Sequence, residues 1–160
     1  MISEPANPRP THATALLLDG VGIVIRGASG SGKSRLAYAL LEGSGCNATH
    51  DAGSKTESVT ALIGDDYITL EAGQQLWASP APNLAGRIEV RGVGILGLPW
   101  REKGPIHLVV DLMPVDDIER LPEARTTTLS GYQLGHVEVP IGDLAHQMLL
   151  VRTAAALLSC

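Results

Sequence analysis

Residues Gly27 to Ser34 read Gly-Ala-Ser-Gly-Ser-Gly-Lys-Ser, the G-x-x-x-x-G-K-S spacing of a phosphate-binding loop. Ahead of them Val21, Ile23, Val24 and Ile25 form a β-branched run that predicts a buried strand, and behind them Leu36, Ala37, Leu40 and Leu41 recur at helical spacing. Strand, loop and helix is the order such a loop needs. Its glycines let the backbone turn with amide N–H groups inward, and the positive end of the following helix faces the anion. Gly27, Ala28, Ser29, Gly30, Ser31 and Gly32 are therefore the candidate phosphate cradle. Lys33 is placed to reach the β- and γ-phosphates, and Ser34 offers a hydroxyl to magnesium, which takes hard oxygen ligands. The sequence predicts that the chain binds a nucleoside triphosphate.

The 160 residues fall within the size of one domain and can bury a sizeable core, which must be aliphatic because the chain has no Phe. A net charge of −5 with scattered basic residues argues against a nucleic-acid partner, since no Lys/Arg stripe is present to replace counterions. The apolar runs are short and interrupted, so no membrane partner is expected. The start MISEPANPRP has neither a basic n-region nor an apolar h-region, which leads to the expectation of a cytoplasmic protein. Cys46 and Cys160 make neither a disulfide framework nor a metal cluster and read as incidental thiols.

Outward from the loop, Thr14 to Leu18 and Val21 to Ile25 flank Asp19-Gly20, a dipeptide that favours a tight hairpin. Gly43 to Ser58 holds almost no apolar residue and is rich in turn formers, so it reads as a mobile surface loop, long enough to suggest a function. Ala61 to Gly64 and Tyr67 to Leu70 predict strands around Asp65-Asp66. Pro80 and Pro82 mark a loop, Ile88 to Val90 and Val93 to Leu96 resume the β pattern, and Ile106 to Val110 reads as a buried strand. From Asp143, a candidate N-cap, Leu144, Met148, Leu149, Val151 and Leu157 predict a closing helix with one apolar face.

The pair Asp65-Asp66 is the second chemical constellation. Neighbours on an extended chain point in different directions, so one carboxylate can orient magnesium while the other accepts a proton from an attacking hydroxyl. A solvated Asp-Asp turn is the plain alternative. Asp111, after Leu108, Val109 and Val110, follows the strand-then-Asp pattern that holds magnesium in many phosphate-loop enzymes, or else caps the loop at Met113-Pro114.

His12-Ala-Thr-Ala-Leu, the loop GASGSGKS, Gly64-Asp-Asp-Tyr-Ile and Glu89-Val-Arg-Gly-Val-Gly-Ile-Leu resemble, in the same order, the catalytic domain of bacterial HPr kinase/phosphorylase. The resemblance runs from about His12 to the C-terminal helix. It implies an α/β fold, a P-loop-containing mixed-sheet domain of the HPr kinase/phosphoenolpyruvate carboxykinase type. Residues 12–160 would be a single kinase domain preceded by a disordered or extended stretch, 1–11. The implied activity is ATP- and Mg2+-dependent phosphorylation of a serine of HPr, the phosphocarrier of the sugar phosphotransferase system. By position Lys33 matches the loop lysine, Ser34 and Glu89 the magnesium ligands, Asp66 the general base and His12 the active-site histidine. Arg120 matches a later active-site arginine, with Arg125 the nearby alternative, and Glu89 displaces Asp111 as metal carboxylate. Arg91, close to Glu89, either pairs with a carboxylate or phosphate or is an exposed strand-end arginine. A homo-oligomer is compatible with this reading.

The chain departs from the family pattern in three places. It begins almost at His12, as expected of a short form without the N-terminal domain. The stretch Gly43 to Ser58 lengthens the separation of Lys33 from Asp66. The family's Pro-Gly-Arg-Asn stretch, which serves the reverse reaction, corresponds to Pro140-Ile-Gly-Asp143, without the arginine, which implies a weak phosphorylase activity. Three other functions compete with this reading. A small-molecule kinase would share the loop but lacks an arginine-rich lid here, and a non-catalytic ATP-binding regulator is disfavoured by intact Lys33, Ser34, Asp66 and Glu89. A GTP switch would need an Asn/Thr-Lys-x-Asp segment, which the chain lacks.

Overall fold

A computed structural model describes residues 9–123 and 125–159. In chain order the strands are β1 (Arg9–His12), β2 (Thr14–Leu18) and β3 (Val21–Arg26), followed by helix α1 (Lys33–Gly43). Then come β4 (Ala61–Gly64), β5 (Tyr67–Ala72), β6 (Leu76–Pro80), β7 (Arg87–Val90), β8 (Gly94–Gly97) and β9 (Gly104–Pro105). The chain closes with β10 (Leu108–Met113), β11 (Thr126–Leu129), β12 (Tyr132–Pro140) and helix α2 (Leu144–Leu158).

A six-stranded sheet in the order β11-β12-β10-β3-β2-β4 carries the fold. β3, β10 and β12 are parallel, while β2, β4 and β11 pair antiparallel with their neighbours. The expected β2–β3 hairpin is present, and Asp19 (φ 50) and Gly20 (φ 84) supply the two positive φ angles that a tight two-residue turn requires. A smaller antiparallel sheet, β1-β5-β6-β9, lies on one face, and α1 and α2 lie on the other. Two cores result. Leu16, Ile23, Ile25, Leu36, Leu40 and Val110 fill the helix side, whereas Ala15, Leu17, Val24, Ile63 and Ile68 fill the gap between sheets. Each fully buried Leu or Ile contributes roughly 1.5–3 kcal/mol.

Several expectations change. Residues 9–11, expected to be disordered or extended and outside the domain, are extended and join it: with His12 they form β1 and pair with β5, while residues 1–8 lie outside the described residues. Gly43 to Ser58 is not a free surface loop. Thr49 and Gly97 exchange two backbone hydrogen bonds (2.9 and 2.8 Å), Thr56 N–H donates to Trp100 O, and Trp100 Nε1 donates to Gly53 O. Its turn-forming composition serves close packing, since a Cβ on Gly53 would stand 1.7 Å from Leu98 O. Cys46 is buried, with its thiol pushed up by burial, and Cys160 lies outside the described residues.

α2 begins where expected, capped by the Asp143 carboxylate on His146 N–H at 3.1 Å. Its apolar face is as expected at Leu144, Met148 and Val151, which pack against the core, but Leu149 and Leu157 are 61% and 64% exposed and Gln147 and Ala155 are buried instead. Pro80 ends β6 opposite Ile68 rather than lying in a loop. No described helix is long and apolar enough to cross a membrane.

Candidate active site

Because β3, β10 and β12 are parallel, their carboxyl ends open on one edge, where ligands of such sheets bind. The Gly27–Gly32 turn leaves β3 there and feeds α1. Gly30 (φ 82) and Gly32 (φ 100) adopt the left-handed region that the turn demands. Lys33 is buried and its Nζ donates to the loop's own Gly27 O (2.9 Å) and Ala28 O (3.2 Å). Ser31 Oγ, buried inside the loop, has no hydrogen-bond partner among the described residues. A buried orphan hydroxyl is unfavourable unless something completes it.

Asp65 and Asp66 follow β4 at the same edge, beside an irregularity in the β2–β4 ladder at Ala15/Leu16. Asp65 is 7% exposed, and its Oδ1 accepts from Ser34 Oγ (2.6 Å) and Thr14 Oγ1 (2.9 Å). Its Oδ2 faces the Glu89 backbone N–H at 3.4 Å. Asp66 has φ 69, a left-handed turn that Asp tolerates better than most residues, and it aims its carboxylate away. Its side chain is 62% exposed, and Oδ1 meets His12 Nε2 at 3.0 Å. The His12 ring lies 5.2 Å from that of Tyr67. The expected division of the two carboxylates between two directions is thus realised.

Glu89 arrives on the β7–β8 hairpin. Ile88 and Leu96 anchor that hairpin in the helix-side core, which leaves the Glu89 side chain exposed while its amide touches Asp65. Arg91, in the hairpin turn, is exposed and has no ion pair among the described residues. Asp111 is engaged elsewhere. Arg26 clasps it bidentately at 2.8 Å through Nε and Nη2, and His136 Nε2 reaches it at 2.7 Å. Burial alone would raise its carboxyl, but the hydrogen bonds and charges of Arg26 and His136 hold it below the ordinary value. Arg120 and Arg125 lie on the segment after β10, exposed and, among the described residues, without a side-chain contact to Lys33, Ser34 or Asp66. Arg125 O accepts from His136 N–H, level with Val109 near the start of β10 and away from the carboxyl edge.

Thr14 is a residue that the sequence quoted without a role. It links Asp65 and the Asp66 N–H (3.4 Å) through one hydroxyl, a link visible only once β2 and β4 pair. The Ser34 hydroxyl and Asp65 carboxylate are hard oxygens beside the glycine loop that suit a magnesium-bound polyphosphate, and Glu89 meets Asp65 through its backbone N–H. The orphaned Ser31 hydroxyl fits an anion seated there. Among the described residues no cluster of three or more His, Cys, Asp or Glu is assembled to hold a metal. A cavity of about 590 Å³ at the opposite end of the sheet, lined by Gln75, His107, Tyr132 and Leu158, shares no residue with this edge.

A sequence profile of the family described as HPr Serine kinase C-terminal domain matches residues 4–159. The chain belongs to that family. It is 27% identical over 152 residues to the HPr kinase/phosphorylase of Mycoplasma genitalium, covering 86% of this chain and 44% of that protein. It is 25% identical over 166 residues to that of Streptococcus thermophilus, covering 96% and 49%. The chain thus spans less than half the length of these relatives. Among solved structures, the Hpr(Ser) kinase/phosphatase from Coxiella burnetii shares its fold, with a TM-score of 0.75 at 24% identity over 94% of this chain and 90% of that one. The mixed α/β family fold expected from the sequence is the one observed.

Proposed function

We propose that the chain is an ATP- and Mg2+-dependent cytoplasmic kinase that transfers a phosphoryl group to a serine of an HPr-type phosphocarrier protein, with weak phosphorolysis in reverse. The observation that carries this reading is the split between consecutive carboxylates: Asp65, buried, grips Ser34 at the loop, and Asp66, exposed, faces outward with His12. One faces the nucleotide and the other the acceptor.

In this reading the Gly27–Ser34 loop holds the phosphates, and Lys33 exchanges its two loop carbonyls for phosphate oxygens. Ser34 and Glu89 would hold magnesium, with Asp65 orienting the Ser34 hydroxyl. Bound magnesium supplies charge neutralisation on the transferring phosphoryl, the main demand of such reactions. Asp66 accepts the proton of the acceptor serine, a step that requires a base within hydrogen-bond reach, and His12 fixes the orientation of its carboxylate. The exposure of Asp66 on an open edge suits a serine presented by another protein better than a small molecule, which a pocket would enclose. Arg120, exposed and without a described contact in the site, enters this reading through the resemblance alone.

Transfer of radiolabelled γ-phosphate from ATP to purified HPr tests it. Label on a serine of HPr, dependent on Mg2+ and lost in Asp66→Asn, is expected. ATP turnover that leaves HPr unlabelled overturns it.

A further inference from the structure

Arg35 follows Ser34 on α1, and its side chain turns back over the loop. Nη2 donates to Gly142 O at 2.8 Å, while Nε and Nη2 lie 3.8 and 3.9 Å from where a Cβ on Gly32 would stand. The guanidinium therefore spans from the glycine loop to the turn between β12 and α2. That turn contains Gly142, the position where the resemblance expects an arginine.

The surroundings leave this cation available. A guanidinium carries more N–H donors than one carbonyl bond uses, and no carboxylate pairs with Arg35 among the described residues. Three other arginines are committed, Arg26 to Asp111, Arg152 to Leu40 O and Ser44 Oγ, Arg101 to Glu57 O and Ser58 O; Arg91, Arg120 and Arg125 are exposed but make no described contact with the glycine loop or the Gly142 turn. Asp143, the acidic neighbour of Gly142, is turned onto His146 N–H as a helix cap. Within the loop itself, Ser31 Oγ is buried without a partner and Lys33 is satisfied only by loop carbonyls. Three polar groups around one turn thus await the same kind of ligand, an anion with several acceptor oxygens.

We propose that Arg35 is a phosphate-binding residue, its guanidinium taking a phosphate group between Gly32 and Gly142. The inference rests on reading Gly27–Ser34 as a phosphate loop, and it is independent of which acceptor the enzyme serves. The phosphate is either part of the nucleotide or free inorganic phosphate, the substrate of the reverse reaction.

Equilibrium binding of ATP, adenosine and inorganic phosphate to wild type, Arg35→Gln and Arg35→Lys separates these. Charge-assisted hydrogen bonds at a partly screened surface lead to an expected loss of roughly 5- to 50-fold in Arg35→Gln, smaller in Arg35→Lys and shrinking with added salt. A loss for ATP but not adenosine supports the proposal with the nucleotide as source. A loss confined to inorganic phosphate supports it with the free anion as source. Unchanged binding of both, or an equal loss for ATP and adenosine, overturns it. These measurements need no acceptor protein, so they stand even where transfer to HPr fails.

Discussion

Ser34 Oγ and Asp65 Oδ1 stand 2.6 Å apart, which ties the helix behind the glycine loop to the carboxylate pair across β2. Asp65 is therefore a structural group, on the metal side in the proposed reading, and Asp66, one residue on, is not. Asp65→Asn keeps an acceptor but places an NH2 among donors, so a stability loss of roughly 1–2 kcal/mol and a raised Mg2+ requirement are expected. Asp66→Asn keeps a residue tolerant of its positive φ and should leave stability and ATP binding intact while slowing transfer by ~10²- to 10⁴-fold. Thermal melts, nucleotide titrations and single-turnover transfer on both variants check this. A base role for Asp66 is excluded if Asp65→Asn, not Asp66→Asn, shows the pure rate defect.

The 43–58 segment is predicted to matter through contact rather than motion. In Gly53→Ala the new methyl would meet Leu98 O, a backbone atom that cannot step aside cheaply. Overpacking of this kind costs roughly 1–3 kcal/mol. The affected strip, Gly97 to Trp100, continues β8 of the hairpin that carries Glu89, so the Mg2+ concentration for half-maximal activity should rise as well. An unchanged Tm in Gly53→Ala would mean that the segment does not pack as described.

Asp111 makes a pH prediction with a definite sign. Its carboxyl is held below its ordinary 3.8, so the stabilisation is present above that value and is lost as pH falls through the lower folded-state value. Asp111→Asn should cost roughly 1–3 kcal/mol at pH 7, because a half-buried Arg26 guanidinium loses its anion. The gap between wild type and variant should then narrow below about pH 4, where the wild-type carboxyl protonates. Melts from pH 7 to pH 2.5 follow it. Magnesium dependence should stay as in wild type; a raised requirement in Asp111→Asn with none in Glu89→Gln would return the metal to Asp111.

His107 adds a second pH window. Burial lowers its imidazole below the ordinary 6.5, and Nδ1 accepts from Gly22 N–H at 2.9 Å, which only the neutral ring can do. Stability should fall as pH drops below about 6.5 through the depressed value, and His107→Gln should flatten that limb. Equal slopes in wild type and variant between pH 7.5 and pH 5 would assign the loss to another group.

What the sequence disclosed follows the range of its signals. The Asp19-Gly20 hairpin, the glycine loop, α1 and the strands around Asp65-Asp66 were legible because each is announced within a few residues. β12 was not, since Gly135 and His136 interrupt its apolar pattern and its place beside β10 depends on a parallel, long-range pairing. The inward face of α2 was read only in part because Leu outranks Gln on any hydrophobicity scale, yet Gln147 is buried, its Nε2 donating to Pro140 O at 2.9 Å while its Oε1 finds no partner among the described residues. In the site, His12, Lys33, Ser34, Asp66 and Glu89 stand out by motif. Thr14 and Arg35 acquire their contacts only through strand pairing and the approach of the Gly142 turn, which no local pattern encodes.

Forward transfer is predicted to outpace phosphorolysis. The reverse reaction must seat inorganic phosphate beside a phosphoserine and close to Asp66, and like charges so near one another repel strongly unless a cation intervenes. Pro140-Ile-Gly-Asp143 offers none: Gly142 has no side chain, and the Asp143 carboxylate adds negative charge even while it caps α2. Arg35 is the cation that reaches this turn, from an exposed position where screening weakens it. Dephosphorylation of seryl-phosphorylated HPr should accordingly need high phosphate and remain slow under conditions where forward transfer is readily measured. What slow phosphorolysis there is should fall further in Arg35→Gln. Pyrophosphate release at millimolar phosphate, measured beside kinase turnover, decides the point. Comparable rates in the two directions, unaffected by Arg35→Gln, would place the compensating charge on Arg120 or Arg125.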